Sequence, residues 1–278
     1  MKRVAAITMA RNDNFFLERW IAYYGSQIGF ENLYVLLDGL DQDAPKCSDT
    51  VHVLKLERKA EEMTRADRTR IAIINKKAEA LLELGYDLVI GCDADEFLVV
   101  DPIVGKGLKE YLSTIKCKIS VSGLGMDVGQ KLDEEPTLDP QKPFLSQRRY
   151  ALFDSQYTKP VVKAVSKPWG AGFHRVKGCN YRIDKNLYLF HFGSVDYQML
   201  KKKLSDSEKI GEGWEKHLNQ RCRTINLLSE GKIYKKEFFI KLARALQTIT
   251  RHPFMWTRPY MYYWKMLVQI PERFRGTV

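Results

Sequence analysis

Residues 86 to 97 read Tyr-Asp-Leu-Val-Ile-Gly-Cys-Asp-Ala-Asp-Glu-Phe, an apolar run that breaks off in three carboxylates, Asp93, Asp95 and Glu96. Upstream, Ile71, Ile74, Ala78, Leu81 and Leu82 recur at helical spacing, and Gly85 stands where a helix would stop. A helix feeding a short, wholly apolar strand is the repeating unit of a parallel sheet buried on both faces. Such sheets bind ligands above the carboxyl ends of their strands. Carboxylates one residue apart at such an end suit a hard divalent cation. Mg²⁺ or Mn²⁺ takes oxygen ligands, and one or two protein carboxylates often suffice when substrate phosphates complete the shell.

The rest of the first half repeats the pattern. Val4 to Met9 reads as a buried strand, and Phe16, Leu17, Trp20, Ile21 and Tyr24 then fall on one helix face. Leu33 to Leu37 forms a second strand that stops at Asp38-Gly39, and Val51 to Leu56 alternates more loosely, as an edge strand does. The expectation is an α/β fold with a mainly parallel sheet flanked by helices. Lys118 to Leu124 reads as a further strand and Tyr188 to Phe192 as a late one. Between them, Asp127 to Pro143 has the composition of a long surface loop, the kind that often serves as a lid. From Tyr197 onward the pattern is helical. The expected division is an α/β domain over residues 1–196 and a helical extension over 197–278.

A hydrophobic fraction of 45% and a charged fraction of 28% exclude wholesale disorder. The five cysteines are odd in number and lack close CxxC pairing, which argues against a disulfide framework or a structural zinc site and for reduced thiols in a cytosolic protein. The basic start and apolar run of residues 1–10 are too short for a signal peptide and end in Arg11, Asn12 and Asp13. No apolar stretch approaches the roughly 20 residues needed to span a bilayer. The net charge of +11 implies attraction to something anionic: nucleic acid, acidic lipid or a charged polymer.

Polar groups suited to a nucleoside diphosphate follow three strands: Arg11, Asn12 and Asp13 after the first, Asp38 and Asp41 after the second, and Asp93, Asp95 and Glu96 after the fourth. With Trp20-Ile21-Ala22-Tyr23-Tyr24 on the first helix, these elements run from Arg11 to Phe97. In order and spacing the chain resembles the family 2 nucleotide-sugar glycosyltransferases of the GT-A fold. The likeness is to their bacterial branch, with its R-N-E/D, W-I-A-Y/H and D-x-D-E-F motifs. Two departures stand out: Asp13 replaces the usual Glu, and the turn Asp38-Gly39-Leu40-Asp41 is shorter than the common form.

The resemblance implies a Rossmann-like GT-A sheet and a metal-dependent, inverting transfer of sugar. The donor would be a nucleotide-diphosphate sugar, and the acceptor a hydroxyl of a cell-envelope glycan or lipid-linked glycan. It implies that Arg11 and Asp38 line the nucleotide pocket, that Asp93 lies against the ribose and the metal, and that Asp95 is the principal metal ligand. A late-strand histidine often completes the set in this family, a place that His191 fits, and imidazole favours Mn²⁺ over Mg²⁺. Inverting transfer needs a carboxylate base, for which Asp127, after the expected fifth strand, leads and Glu96 follows. Lys159, Lys163, His174 and Arg175 are cations of the kind that grip a diphosphate, Lys163 included among the donor-binding residues.

Several of these residues also have a plainer use. His191, between Phe190 and Phe192, reads equally as a core histidine satisfied by a carbonyl. Asp38 suits a turn, and Arg65, Arg68 and Arg70 suit a solvated helix face from which one arm reaches a phosphate. The run 251–265 interleaves cations with Trp, Tyr and Phe. That pattern suits an anionic membrane surface and peripheral attachment to the inner face of the cytoplasmic membrane. The other reading is a segment packed on the sheet, because Pro253 and Pro259 break any long helix. Two competing functions are weighed. A metal-dependent nucleotidyltransferase would carry a glycine-rich phosphate loop after the first strand, where residues 10–14 hold no glycine. A basic nucleic-acid-binding protein would leave the acidic strand ends unexplained, so no nucleic-acid partner is expected.

Overall fold

The computed structural model describes residues 1–58, 63–204, 215–250 and 265–278. The chain is an α/β protein with helices on both faces of a central sheet. Strands β1 (Val4–Ala10), β2 (Leu33–Asp38), β3 (His52–Leu56) and β4 (Leu88–Gly91) form a parallel block in the order β4-β1-β2-β3. Helix α1 (Asn14–Ile28) connects β1 to β2, and α2 (Met63–Glu83) connects β3 to β4. All seven residues of β1 are buried, which explains its unbroken apolar sequence. Alternate side chains nevertheless go to different partners. Val4, Ala6 and Ala10 pack with Phe16, Leu17, Trp20 and Ile21 of α1, whereas Ala5, Ile7 and Met9 pack with Ile71, Ile74, Ala78 and Leu81 of α2. Strand β3 lies at the edge and is partly exposed along its length, as its looser alternation suggested. Helix α2 ends before Gly85, whose φ of 85° suits glycine.

Beyond β4 the sheet becomes mixed. Strand β5 (Glu96–Val100) is followed by α3 (Leu108–Thr114), β6 (Ser120–Gly129), α4 (Phe144–Gln147), β7 (Tyr150–Phe153), β8 (Val162–Lys163) and β9 (Arg182–Ser194). Strand β8 pairs antiparallel with both β4 and β6 and so joins the two halves. Strand β9 runs parallel to β6 and antiparallel to β5.

Two expectations change here. The strand begun near Lys118 does not stop at Leu124 but runs through Asp127 to Gly129. Its glycines hid it: the loop 154–158 lies directly on Gly125, whose backbone N–H donates to Thr158 Oγ1 at 2.9 Å. The loop expected from Asp127 therefore starts at Gln130, and it is tied down. Gln130 Nε2 donates to the carbonyls of Glu135 and Pro136, Lys131 N–H to Glu135 Oε2, and Leu138 N–H to Asp196 Oδ2.

Residues 197–278 carry α5 (Tyr197–Leu204), α6 (Glu215–Glu230) and α7 (Phe238–Thr250), as the helical pattern required. They also supply β10 (Ile233–Tyr234) and β11 (Leu267–Gln269), which extend the same sheet by pairing β11 antiparallel to β7. The extension thus shares a sheet with residues 1–196. Arg273 locks it further through Asp101, at 2.6 and 2.9 Å. The cation and aromatic run expected at a membrane surface falls, apart from Lys265, outside the described residues. Among the described residues no helix is long and apolar enough to cross a membrane, and all five cysteines are free thiols.

The contact at Gly125 gives a direct test. A Cβ at that position would meet backbone atoms of Tyr157 and Thr158 and lie 2.7 Å from the Asp154 carbonyl oxygen. Backbone cannot rotate away as a side chain can, so Gly125→Ala is expected to destabilise the protein by about 2 kcal/mol. Denaturant titration of the two proteins measures the difference.

Candidate active site

The carboxyl ends of β1, β2 and β4 carry the polar groups. After β1, Asn12 adopts φ 48°, and its N–H donates to Gln42 Oε1 at 2.8 Å. Arg11 donates from Nη1 to Asp41 Oδ1 at 2.8 Å and to the Asp38 carbonyl at 3.1 Å, so the turn 38–41 wraps its guanidinium. That hydrogen bond holds the Asp41 carboxyl below its ordinary range. The Asp38 side chain stands at the rim, 38% exposed. Arg11 and Asp38 are therefore brought together at the carboxyl ends of β1 and β2. Asp13 is bound through both oxygens by Lys203 of α5, at 3.1 and 2.9 Å.

The turn after β4 is set by helix α1. Trp20 Nε1 donates to Cys92 Sγ at 3.3 Å, the Tyr24 hydroxyl lies 3.4 Å from the same sulfur and accepts from Leu98 N–H at 2.8 Å, and Tyr23 donates to the Leu98 carbonyl. The aromatic helix motif thus works as a clamp on the turn between β4 and β5. The three carboxylates at that turn do not share one environment. Asp93 meets Arg70 Nη1 at 2.5 Å and Lys159 Nζ at 3.2 Å; these cations hold it well below the usual carboxylate range against the opposing effect of burial. Glu96 is fully buried, bonded to Lys159 Nζ at 2.5 Å, and burial pushes its carboxyl up to about 6 against the pull of that ammonium. Asp95 instead faces His191, with its Oδ2 3.3 Å from Nε2.

Strand register explains how His191 arrives there. It pairs with Glu96 across β5 and with Asp127 across β6, and directly opposed residues share a face of the sheet. His191 Nδ1 lies 2.6 Å from Asp127 Oδ1, and the Tyr157 ring stacks on the imidazole at 3.8 Å with an interplanar angle of 14°. Burial alone would push the imidazole down, but Asp95 and Asp127 outweigh it and hold its pKa near 9. Asp127 is 4% exposed, and its second oxygen accepts from Thr224 Oγ1 of α6 at 2.5 Å. The residue expected after a strand, facing an acceptor, lies inside β6 behind His191. With both oxygens engaged, it is disposed to orient the imidazole.

Among the described residues, no group of three or more His, Cys, Asp or Glu side chains converges as a metal cage. Asp93 and Glu96 are already neutralised by Arg70 and Lys159. Asp95 faces one nitrogen of the His191 imidazole, and Asp127 holds the other. That is the arrangement in which ligating histidines are oriented, and it fits a cation that displaces the Nε2 proton on binding and takes its remaining ligands from a substrate.

Of the cations suggested for a diphosphate, Lys159 joins the carboxylates and Lys163 does not. Lys163 pairs with Val89 in mid-strand, is fully buried, and sends its ammonium to the Lys167 carbonyl at 3.2 Å and over the Trp169 ring at 3.9 Å. His174 and Arg175 follow the turn Ala171–Phe173, and the Phe173 ring lies 5.5 Å from the guanidinium of Arg70. Arg70, read as one of three arginines on a solvated helix face, reaches Asp93. Tyr157 and Thr224 carried no local signal, because each acquires its partner only through tertiary packing.

No protein-family model matches the chain, and no curated protein matches it. Among solved structures, it is similar to a mannose-1-phosphate geranyltransferase from Thermus thermophilus, at 12% identity and a TM-score of 0.31, over 96% of this chain and 73% of that one. At that level of similarity, the reading of the site rests on its own geometry.

Lys163 yields a prediction that is independent of the site. Burial drops its pKa to about 8, below that of the unfolded chain, so between about pH 8 and 10 the unfolded state binds more protons and stability rises with pH. Lys163→Met is expected to be more stable than the wild type at pH 7. The gap should narrow as pH rises through that window, by up to about 1.4 kcal/mol per pH unit. Denaturation midpoints of both proteins between pH 7 and 10.5 measure it.

Proposed function

We propose that this chain is a metal-dependent glycosyltransferase that moves a sugar, with inversion, from a nucleotide-diphosphate sugar to a hydroxyl acceptor. The observation that carries the reading is the facing pair Asp95 and His191 Nε2, 3.3 Å apart, at the same end of the sheet as the Arg11–Asp38–Asp41 rim. Asp95 and His191 would hold Mn²⁺ or Mg²⁺, and imidazole tilts the choice to Mn²⁺. When bound, such a cation neutralises the departing diphosphate and stabilises charge at the leaving oxygen. Lys159 and Arg70 neutralise Asp93 and Glu96 at this end of the sheet, so those carboxylates do not repel the diphosphate. Arg11 and Asp38 line the nucleotide side, and Asp93 lies toward the ribose. Asp127, whose two oxygens engage His191 and Thr224, is assigned the role of orienting the imidazole.

The acceptor we assign is a cell-envelope glycan or lipid-linked glycan at an anionic membrane surface. That assignment is supported by the family resemblance, the net charge of +11 and the basic, aromatic C-terminal run. Nucleotidyl transfer is the competing chemistry, and the glycine-free turn of residues 10–14 after β1 lacks the usual phosphate loop.

Product analysis separates the two. Incubation with nucleotide sugars and Mn²⁺ is expected to release a nucleoside diphosphate, whereas nucleotidyl transfer from a nucleoside triphosphate would release pyrophosphate. Asp95→Ala should lower the Mn²⁺-dependent release by about 1,000-fold or more with an unchanged circular dichroism spectrum. Undiminished turnover in that variant would sink the metal assignment.

A further inference from the structure

Helix α6 reaches the site from behind the sheet. Thr224 is buried, and its hydroxyl donates to Asp127 Oδ2 at 2.5 Å, while Asp127 Oδ1 holds His191 Nδ1 at 2.6 Å. The same imidazole turns Nε2 to Asp95 at 3.3 Å. A continuous set of contacts, Thr224 to Asp127 to His191 to Asp95, therefore joins the C-terminal part of the chain to the metal-binding pair. Gly129 makes the approach possible. A Cβ there would lie 2.8 Å from Leu228 Cδ1 and 3.1 Å from Thr224 Cγ2, so these two side chains would have to shift to admit any larger residue.

The physical effect of the hydroxyl follows from the torsional freedom of a carboxylate. The terminal torsion of Asp is broad, and a carboxylate held only by an imidazole can rotate and carry the ring with it. A second hydrogen bond on the other oxygen fixes the carboxylate plane. Tyr157, stacked on the ring, restricts tilt but not rotation in the ring plane. The group that binds a histidine's second nitrogen governs where its first nitrogen points.

We propose that Thr224 is a positioning residue. By fixing the plane of the Asp127 carboxylate, it holds His191 with Nε2 facing Asp95, so that α6 sets the geometry of the metal-binding pair. The inference rests on the reading of Asp95 and His191 as metal ligands. A merely structural role makes a different demand: packing against Gly129 requires the shape of threonine, which valine keeps and serine does not, whereas positioning requires the hydroxyl, which serine keeps and valine does not.

The test titrates Mn²⁺ alone into the full-length wild type, Thr224→Ser and Thr224→Val by calorimetry. Side-chain ¹⁵N NMR of His191 in the metal-free proteins accompanies it. Thr224→Val should bind Mn²⁺ about tenfold more weakly, at the low end of the effect of removing a partner behind a ligand, and its His191 Nδ1 resonance should move. Thr224→Ser should stay within about twofold of the wild type, with the resonance in place. If the valine variant does not fold, Thr224→Ala removes the hydroxyl without crowding Gly129, and the same tenfold loss is expected. Equal Mn²⁺ affinity with and without the hydroxyl overturns the positioning role and leaves the metal reading standing. Weakening by serine as much as by valine overturns it in favour of packing. A wild type that takes up no Mn²⁺ overturns the metal reading, and the inference with it.

Discussion

Four carboxylates, Asp93, Asp95, Glu96 and Asp127, are gathered at one end of the sheet, three of them buried. That concentration of negative charge is tolerable only because Arg70, Lys159 and His191 lie in direct contact with it. Buried ions without partners cost several kcal/mol each, and deleting one member of a buried pair typically costs ~3–5 kcal/mol. The site is therefore an electrostatic unit before it is a chemical one. Its cations come from α2, from the loop after β7 and from β9, so the carboxylate turn cannot settle until these distant segments have arrived.

The C-terminal helices belong to the same unit. Lys203 of α5 binds Asp13 beside the first strand, Thr224 of α6 binds Asp127, and Thr158, in the loop that carries Tyr157 and Lys159, donates its hydroxyl to Gln247 of α7. Strand β11 closes the arrangement by pairing with β7. The described residues of 197–278 thus brace the first strand's end, β6, β7 and the loop that carries Lys159.

The sequence makes the parallel block legible because β1, β2 and β4 are buried on both faces and read as unbroken apolar runs, with turn residues between them. Arg11, Asp38 and the Asp93–Glu96 turn are visible for the same reason: polar groups that follow such runs can only lie at strand ends. Legibility falls where glycine replaces side chains. Gly123, Gly125 and Gly129 erase the alternation of β6, and with it the position of Asp127 within a strand. The choice between Lys159 and Lys163 is not local either, since these two lysines, four positions apart, have opposite surroundings, one among carboxylates and one under a tryptophan ring. Thr224 lies 97 residues from its partner, and an isolated threonine on a helix announces nothing.

On the proposed function, the acidic strand end becomes a nucleotide site only together with a divalent cation, because without one its net charge would oppose a diphosphate. Thermal melting with a panel of nucleoside diphosphates, each with and without Mn²⁺, tests this most directly. Stabilisation by one base family is expected when nucleotide and Mn²⁺ are present together, with a rise of roughly 5 °C at about 100 times the dissociation constant. An equal rise without metal, or none with any combination, would contradict it.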